Sequence, residues 1–143
     1  MSIAIVLLVD DETEFVETFS ERLDLRNLNV SKAFSGQEAL QLLEKNQDTE
    51  VVILDVKMPG MDGLETLTEI KKKFPLMEVI MLSGHSTVES AIEGMKKGAF
   101  DYLMKPCDMD QIIAKVSEAV AKKREHEEKI IQARLKEITS RRI

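Results

Sequence analysis

Runs of consecutive apolar residues alternate five times with stretches in which apolar positions recur every three or four residues. The runs occupy residues 3–9 (IAIVLLV), 51–54 (VVIL) and 79–82, with a weaker strand at 28–34 (LNVSKAF) and a fifth at 100–104 (FDYLM), both interrupted by polar residues. Continuous apolar runs of this length, bounded by turn formers, predict strands buried on both faces. Each is followed by a helical stripe: Phe15, Phe19 and Leu23; Ala39, Leu42 and Leu43; Leu64, Leu67 and Ile70; Val88, Ala91, Ile92 and Met95; and, from Met109 onward, Ile112, Ile113, Val116 and Val120. Pro75 ends the third helix and Gly98 closes the fourth. Strands apolar on both faces and joined by helices predict an α/β fold, a doubly wound five-stranded parallel sheet covered on both sides.

Helix starts offer a check independent of hydrophobicity. After each strand a Ser or Asp is followed three residues later by Glu or Gln: Asp11/Glu14, Ser35/Glu38, Asp62/Glu65, Ser86/Glu89 and Asp108/Gln111. That is capping-box spacing. The weakest match is Asp11, whose carboxylate is also wanted elsewhere.

In such sheets ligands bind outside the carboxyl ends of the strands. The residues at those ends are Asp10 and Asp11 (first strand), Asp55 (third), Ser83 (fourth) and Lys105 (fifth). The second strand ends in Phe34 and Ser35 and reads as an edge. Three carboxylates in one crevice repel one another, and a hard divalent cation, Mg²⁺ above all, neutralises such a cluster while leaving room for phosphate oxygens. Lys105 adds a second positive charge and Ser83 a donor to an anion. Asp55, central in the sheet, is the candidate nucleophile toward phosphorus, with metal and lysine flanking the transferred group.

Composition narrows the setting. The formal net charge is −6, yet residues 122–143 carry 8 Lys/Arg against 4 Asp/Glu, so the globular part is acidic and unsuited to nucleic acid. The single Cys107 cannot pair within the chain and reads as a small space-filling residue in a reducing, cytoplasmic setting. The apolar start is too short to span a membrane, and no basic segment precedes it as in a signal peptide.

VDDE at residues 9–12, LDVKMPGMDG at 54–63, MLSGHS at 81–86 and GAFDYLMKP at 98–106 resemble, in order and spacing, the receiver domain of bacterial two-component response regulators. The stretch from Ser83 to Pro106 is most similar to receivers of enhancer-binding transcription activators. The resemblance covers about residues 3–120 and implies the strand order 2-1-3-4-5. It further implies that Asp55 accepts a phosphoryl group from a sensor histidine kinase or phosphotransfer protein. Asp11 would hold Mg²⁺ directly, Asp10 through water, and Lys57 through its backbone carbonyl. Lys105 would pair with the phosphoryl group, Ser83 would follow it inward and Tyr102 would turn as the switch aromatic. A cis bond before Pro106 is also implied. Lys57 and His85, each two residues beyond a site residue, could screen the phosphoaspartate and set its lifetime. Such a chain is a switch that catalyses its own phosphorylation and slow dephosphorylation, not an enzyme with a separate substrate.

Other classes fit less well. Aspartyl phosphatases and P-type ATPases place a second Asp or a Lys-Thr pair just after the nucleophile, where this chain has Val56-Lys57-Met58. No GxxxxGK[ST] run is present, and the DDETE after the first strand is no flavin phosphate loop. A phosphorylation-independent interaction module remains the rival, as does the excised regulatory part of a transcription activator.

The tail completes the picture. Residues 1–121 are expected to form the receiver and 122–143 a basic helical extension. After Pro106 no Gly or Pro interrupts the last helix, and Ile131, Leu135 and Ile138 follow a coiled-coil rhythm. Homodimers through this helix, or through the face of the fourth helix, fifth strand and fifth helix, are expected.

Overall fold

The computed structural model describes residues 3–85 and 87–141. Ten elements alternate without exception: β1 (Ala4–Val9), α1 (Thr13–Asp24), β2 (Leu28–Ala33), α2 (Gly36–Lys45), β3 (Val51–Leu54), α3 (Gly63–Lys73), β4 (Glu78–Ser83), α4 (Val88–Lys96), β5 (Asp101–Met104) and α5 (Met109–Arg141). All pairings are parallel, in the order β2-β1-β3-β4-β5. The doubly wound sheet and its order are those expected, with β2 at one edge.

Two cores sandwich the sheet. Leu8, Ile53, Ile80 and Leu82 pack with Val16, Leu23, Ile112 and Val116 of α1 and α5 on one face. Leu7, Val52, Leu54 and Met81 pack with Leu43, Leu67 and Ile70 of α2 and α3 on the other. The period-2 alternation of strand side chains supplies both layers from one run, which is why β1, β3 and β4 carry almost no polar residue before their ends.

The caps follow the spacing in part. Ser35 accepts from the Glu38 amide and Asp62 from the Glu65 amide. The Asp11 box does not form: Glu12 occupies the N-cap of α1 and makes no side-chain cap bond. At α4 the cap is Thr87, closed reciprocally with Ser90, and Ser86 lies outside the described residues. Asp108 offers its carbonyl to the Ile112 amide at the start of α5.

The expected apolar stripe of α4 is the larger correction. Val88, Ile92 and Met95 are exposed, Val88 to 77%, and Met104 of β5 is exposed as well. The helix instead buries Gly94, where a Cβ would meet Tyr102, Leu64 and Met81 at 3.5–3.7 Å. The close approach uses the residue with the smallest side chain, and the large apolar groups are turned outward.

α5 packs on the sheet through Ile112, Val116, Ala119 and Val120 and runs on as one helix to Arg141. Its basic residues are tied to the amino edge of the sheet. Arg124 reaches Glu50 with two nitrogens at 2.8 and 3.1 Å, and Glu50 also accepts the Ile5 amide. Lys122 comes within 3.5 Å of the buried Glu78, and Lys123 is itself buried and pairs with Glu127. Beyond this anchorage Ile131, Leu135 and Ile138 are exposed.

Candidate functional site

The carboxyl ends of β1, β3, β4 and β5 place the expected residues around one cleft. Asp10 and Asp55 continue β1 and β3 by one residue, tied by amide bonds to Ala33 O (3.1 Å) and Val9 O (3.0 Å) respectively. Both are buried, to 1% and 2% exposure, whereas Asp11 is exposed. Carboxylate oxygens of all three lie within 4.8 Å of one another. Buried carboxylates this close are costly unless a cation joins them, and an all-oxygen donor set suits Mg²⁺.

Hydrogen bonds hold two of them. Asp10 Oδ1 accepts from the Glu12 amide at 3.0 Å, and Asp55 Oδ1 from the Val56 amide at 2.9 Å. The Lys105 ammonium donates to Asp10 Oδ2 at 2.6 Å and lies 3.5 Å from Glu12. Its backbone amide donates to the Ser83 carbonyl, which fixes where the side chain begins. Ser83 is fully buried, and its hydroxyl accepts from the His85 amide at 3.0 Å. The Lys105-Pro106 bond is cis.

The cleft has a volume of about 540 Å³; Lys57 and His85 stand exposed among its lining residues, with Met58 buried and Asp62 half-buried beside them. Tyr102 stands apart. Its hydroxyl is hydrogen-bonded to Ser90 Oγ at 2.9 Å, so it is engaged with α4 and not with Ser83. Two participants were not legible beforehand: Glu12, close to Lys105, and Phe15, whose ring lies under the same ammonium.

Electrostatics agree with the crowding. Burial first, and the negative charge of Asp10 second, push the Asp55 carboxyl up to about 6, against the opposing pull of Lys105, the Ser83 hydroxyl and the Val56 amide. A carboxyl harder to ionise folded than unfolded adds stability below its unfolded value of about 4 and loses it as pH rises through about 6. Asp55→Asn should therefore stabilise the metal-free chain at pH 7.5, by on the order of 2 kcal/mol, with the gain fading toward pH 4. Urea denaturation in EDTA at both pH values measures it. An equal midpoint at pH 7.5 would show that Asp55 carries no such penalty.

One glycine makes the geometry possible. Gly63, first residue of α3, donates its amide to the Val56 carbonyl at 2.7 Å, and a Cβ there would run into the Asp55 carbonyl oxygen and lie 2.7 Å from Val56 Cα. Both obstacles are backbone and cannot swing away. Gly63→Ala should cost about 1–3 kcal/mol and displace Asp55, seen as a lowered urea midpoint together with weaker beryllofluoride binding. An unchanged midpoint would mean that α3 slides freely on the site loop.

Residues 6–117 match the response regulator receiver domain family. The chain belongs to that family. Among curated proteins it is 34% identical over 128 residues to the DNA-binding transcriptional regulator NtrC of Klebsiella pneumoniae, covering 90% of this chain and 27% of NtrC. It is 39% identical to the transcriptional regulatory protein ZraR of Escherichia coli over 116 residues, 81% of this chain and 26% of ZraR. The chain thus spans about a quarter of these relatives. Among solved structures, a receiver domain protein from Clostridium thermocellum superposes with a TM-score of 0.82 at 36% identity, over 85% of this chain and 98% of that one. NtrX from Brucella abortus gives 0.79 at 30% identity, over 90% of this chain and 28% of NtrX. The chain is therefore a receiver module of two-component phosphorelay signalling, similar to the receivers of enhancer-binding activators. Among the described residues no helix is long and apolar enough to cross a membrane.

Proposed function

We propose that this receiver accepts a phosphoryl group on Asp55 from the phosphohistidine of a sensor histidine kinase or phosphotransfer protein. The observation that carries the reading is the convergence of Asp10, Asp11 and Asp55 within 4.8 Å, with the Lys105 ammonium bonded to one of them. An Asp55 carboxylate oxygen attacks phosphorus, the P–N bond breaks, and its electron pair returns to the imidazole, which takes up a proton. Asp55 must be ionised to attack, which its raised pKa of about 6 still permits at neutral pH.

Asp10, Asp11, Asp55 and the Lys57 carbonyl would hold Mg²⁺, which when bound supplies charge neutralisation to the phosphoryl oxygens. Lys105, hydrogen-bonded to Asp10 here, would stabilise the same oxygens from the other side. Ser83 then donates to the phosphoryl group the hydroxyl hydrogen that its acceptance from the His85 amide leaves free, and Tyr102 leaves Ser90 and turns inward. Lys57 and His85, exposed on the cleft, screen the phosphoaspartate from water and set its lifetime.

Residues 1–121 form the phosphoacceptor unit in this reading and 122–143 an output extension, with a second copy of the chain as partner and no direct contact to nucleic acid. Cytoplasmic placement goes with the phosphorelay partner and the free thiol of Cys107. A second reading, the regulatory part of a transcription activator, is favoured by the similarity to NtrC over only 27% of that protein. The two are compatible at the site and differ in output.

Transfer of radiolabel from a phosphorylated histidine kinase tests the reading. Label should reach this chain only with Mg²⁺ and Asp55. A chain that neither takes label nor binds beryllofluoride would instead be a phosphorylation-independent interaction module.

A further inference from the structure

Lys105 has three neighbours around its ammonium, and one of them is not a carboxylate. Besides Asp10 at 2.6 Å and Glu12 at 3.5 Å, the Phe15 ring lies with its centroid 3.9 Å from Nζ. The ring is braced from behind: Phe15 and Phe19 are stacked with centroids 5.0 Å apart and planes 18° apart, and Phe19 is buried. The Lys105 side chain is only 14% exposed, so the contact is largely desolvated, the condition under which an ammonium on an aromatic face is held most firmly. Phe15 sits in the first turn of α1, directly after the residues that supply Asp10 and Asp11.

We propose that Phe15 is a positioning residue for Lys105, an inference that rests on the phosphoacceptor reading above. Asp10 is shared: it holds the lysine, and a cation in the cleft, reached directly or through water, would compete for its charge. A carboxylate engaged by a divalent ion is a poorer partner for a nearby ammonium. The ring has no ligand atom, so metal binding cannot take it away. Phe15 therefore keeps the charge of Lys105 beside the cleft when a cation would weaken its hold on Asp10. A leucine fills similar space and offers no such seat.

The test compares Phe15→Leu, Phe15→Met and Phe15→Tyr in the full chain, each shown to be folded by circular dichroism. Single-turnover labelling with acetyl phosphate and Mg²⁺ should slow by roughly 2- to 30-fold in the Leu and Met variants, the span of such a contact from exposed to desolvated settings, and recover in the Tyr variant. Beryllofluoride affinity should fall in parallel. Affinity for Mg²⁺ alone, by calorimetry, should stay unchanged in all three. Leu or Met variants labelling within twofold of the unaltered chain would overturn the proposal, and so would equal losses in all three variants, which would mark Phe15 as packing only. If the unaltered chain takes no label at Asp55, the phosphoacceptor reading itself fails, a result distinguishable from either of these.

Discussion

Incubated with acetyl phosphate and Mg²⁺, the chain should gain a single phosphoryl group on Asp55, and Asp55→Asn should gain none. The three carboxylates are not equivalent. Asp10 is buried and already engaged on both oxygens, by the Glu12 amide and by Lys105. Asp11 is exposed at the rim, where water competes for it. Asp55 stands at the end of the central strand, is among the residues lining the cleft, and is held by the Val56 amide through one oxygen. It alone combines a fixed orientation with access to an incoming phosphorus. The modification should be an acyl phosphate, stable in acid and cleaved by hydroxylamine, and EDTA should abolish it because crowded carboxylates do not admit an anion without a cation. Phos-tag electrophoresis and peptide mapping read both the amount and the position. Undiminished labelling of Asp55→Asn, or a hydroxylamine-resistant product, would falsify the assignment of the nucleophile.

How much of this was legible in the sequence depends on the distance over which each feature is decided. The strands were, because a run such as VVIL at 51–54 can be buried on two faces only in a covered sheet. The site residues followed, since Asp10, Asp55, Ser83 and Lys105 are defined by being at strand ends, and the topology does the rest. The face of α4 was not. The spacing of Val88, Ala91, Ile92 and Met95 says that these residues share a side, but nothing in it says which side meets the sheet, and Gly94 decided that through close packing on Tyr102. Nor was the role of Phe15. Its place in the stripe with Phe19 and Leu23 reads as core, and the ammonium it carries comes from a residue on the far side of the sequence. The run at Lys122–Arg124 reads only as the start of a basic extension for the same reason, because its carboxylate partners, Glu78 and Glu50, are remote in the chain. Local periodicity fixes elements; pairings across the fold need the fold.

The tail carries the second large expected effect: beryllofluoride should shift the chain from monomer toward dimer in sedimentation equilibrium, and charges on the stripe of α5 should abolish the shift. Ile131, Leu135 and Ile138 are 51–58% exposed on a helix that has already passed the edge of the sheet. Three large apolar residues at coiled-coil spacing on an isolated helix gain little alone, and pairing with the same stripe of a second chain removes them from water. About two turns of seam is a short contact, so the unmodified chain should associate weakly. The exposed Val88, Ile92 and Met104 give each chain a second apolar face, and Tyr102, bonded to Ser90, lines a hollow on that face with Val88 and Met104. A change at Ser83 that draws Tyr102 inward would alter this face first and strengthen pairing through it. The clean perturbation is substitution. Cutting the chain at residue 121 would also take Lys122 from the buried Glu78, leaving it Lys71 alone, and Arg124 from the half-buried Glu50, and removing cations from such carboxylates is destabilising in its own right. Ile131→Glu with Leu135→Glu leaves that anchorage whole and should hold the chain at the 16.2 kDa of a monomer with or without beryllofluoride. Ile92→Glu should leave the weak association of the unmodified chain and remove only the increment that beryllofluoride adds. Monomer masses throughout, at concentrations well above those at which beryllofluoride saturates the site, would rule out the second copy as the partner of this helix.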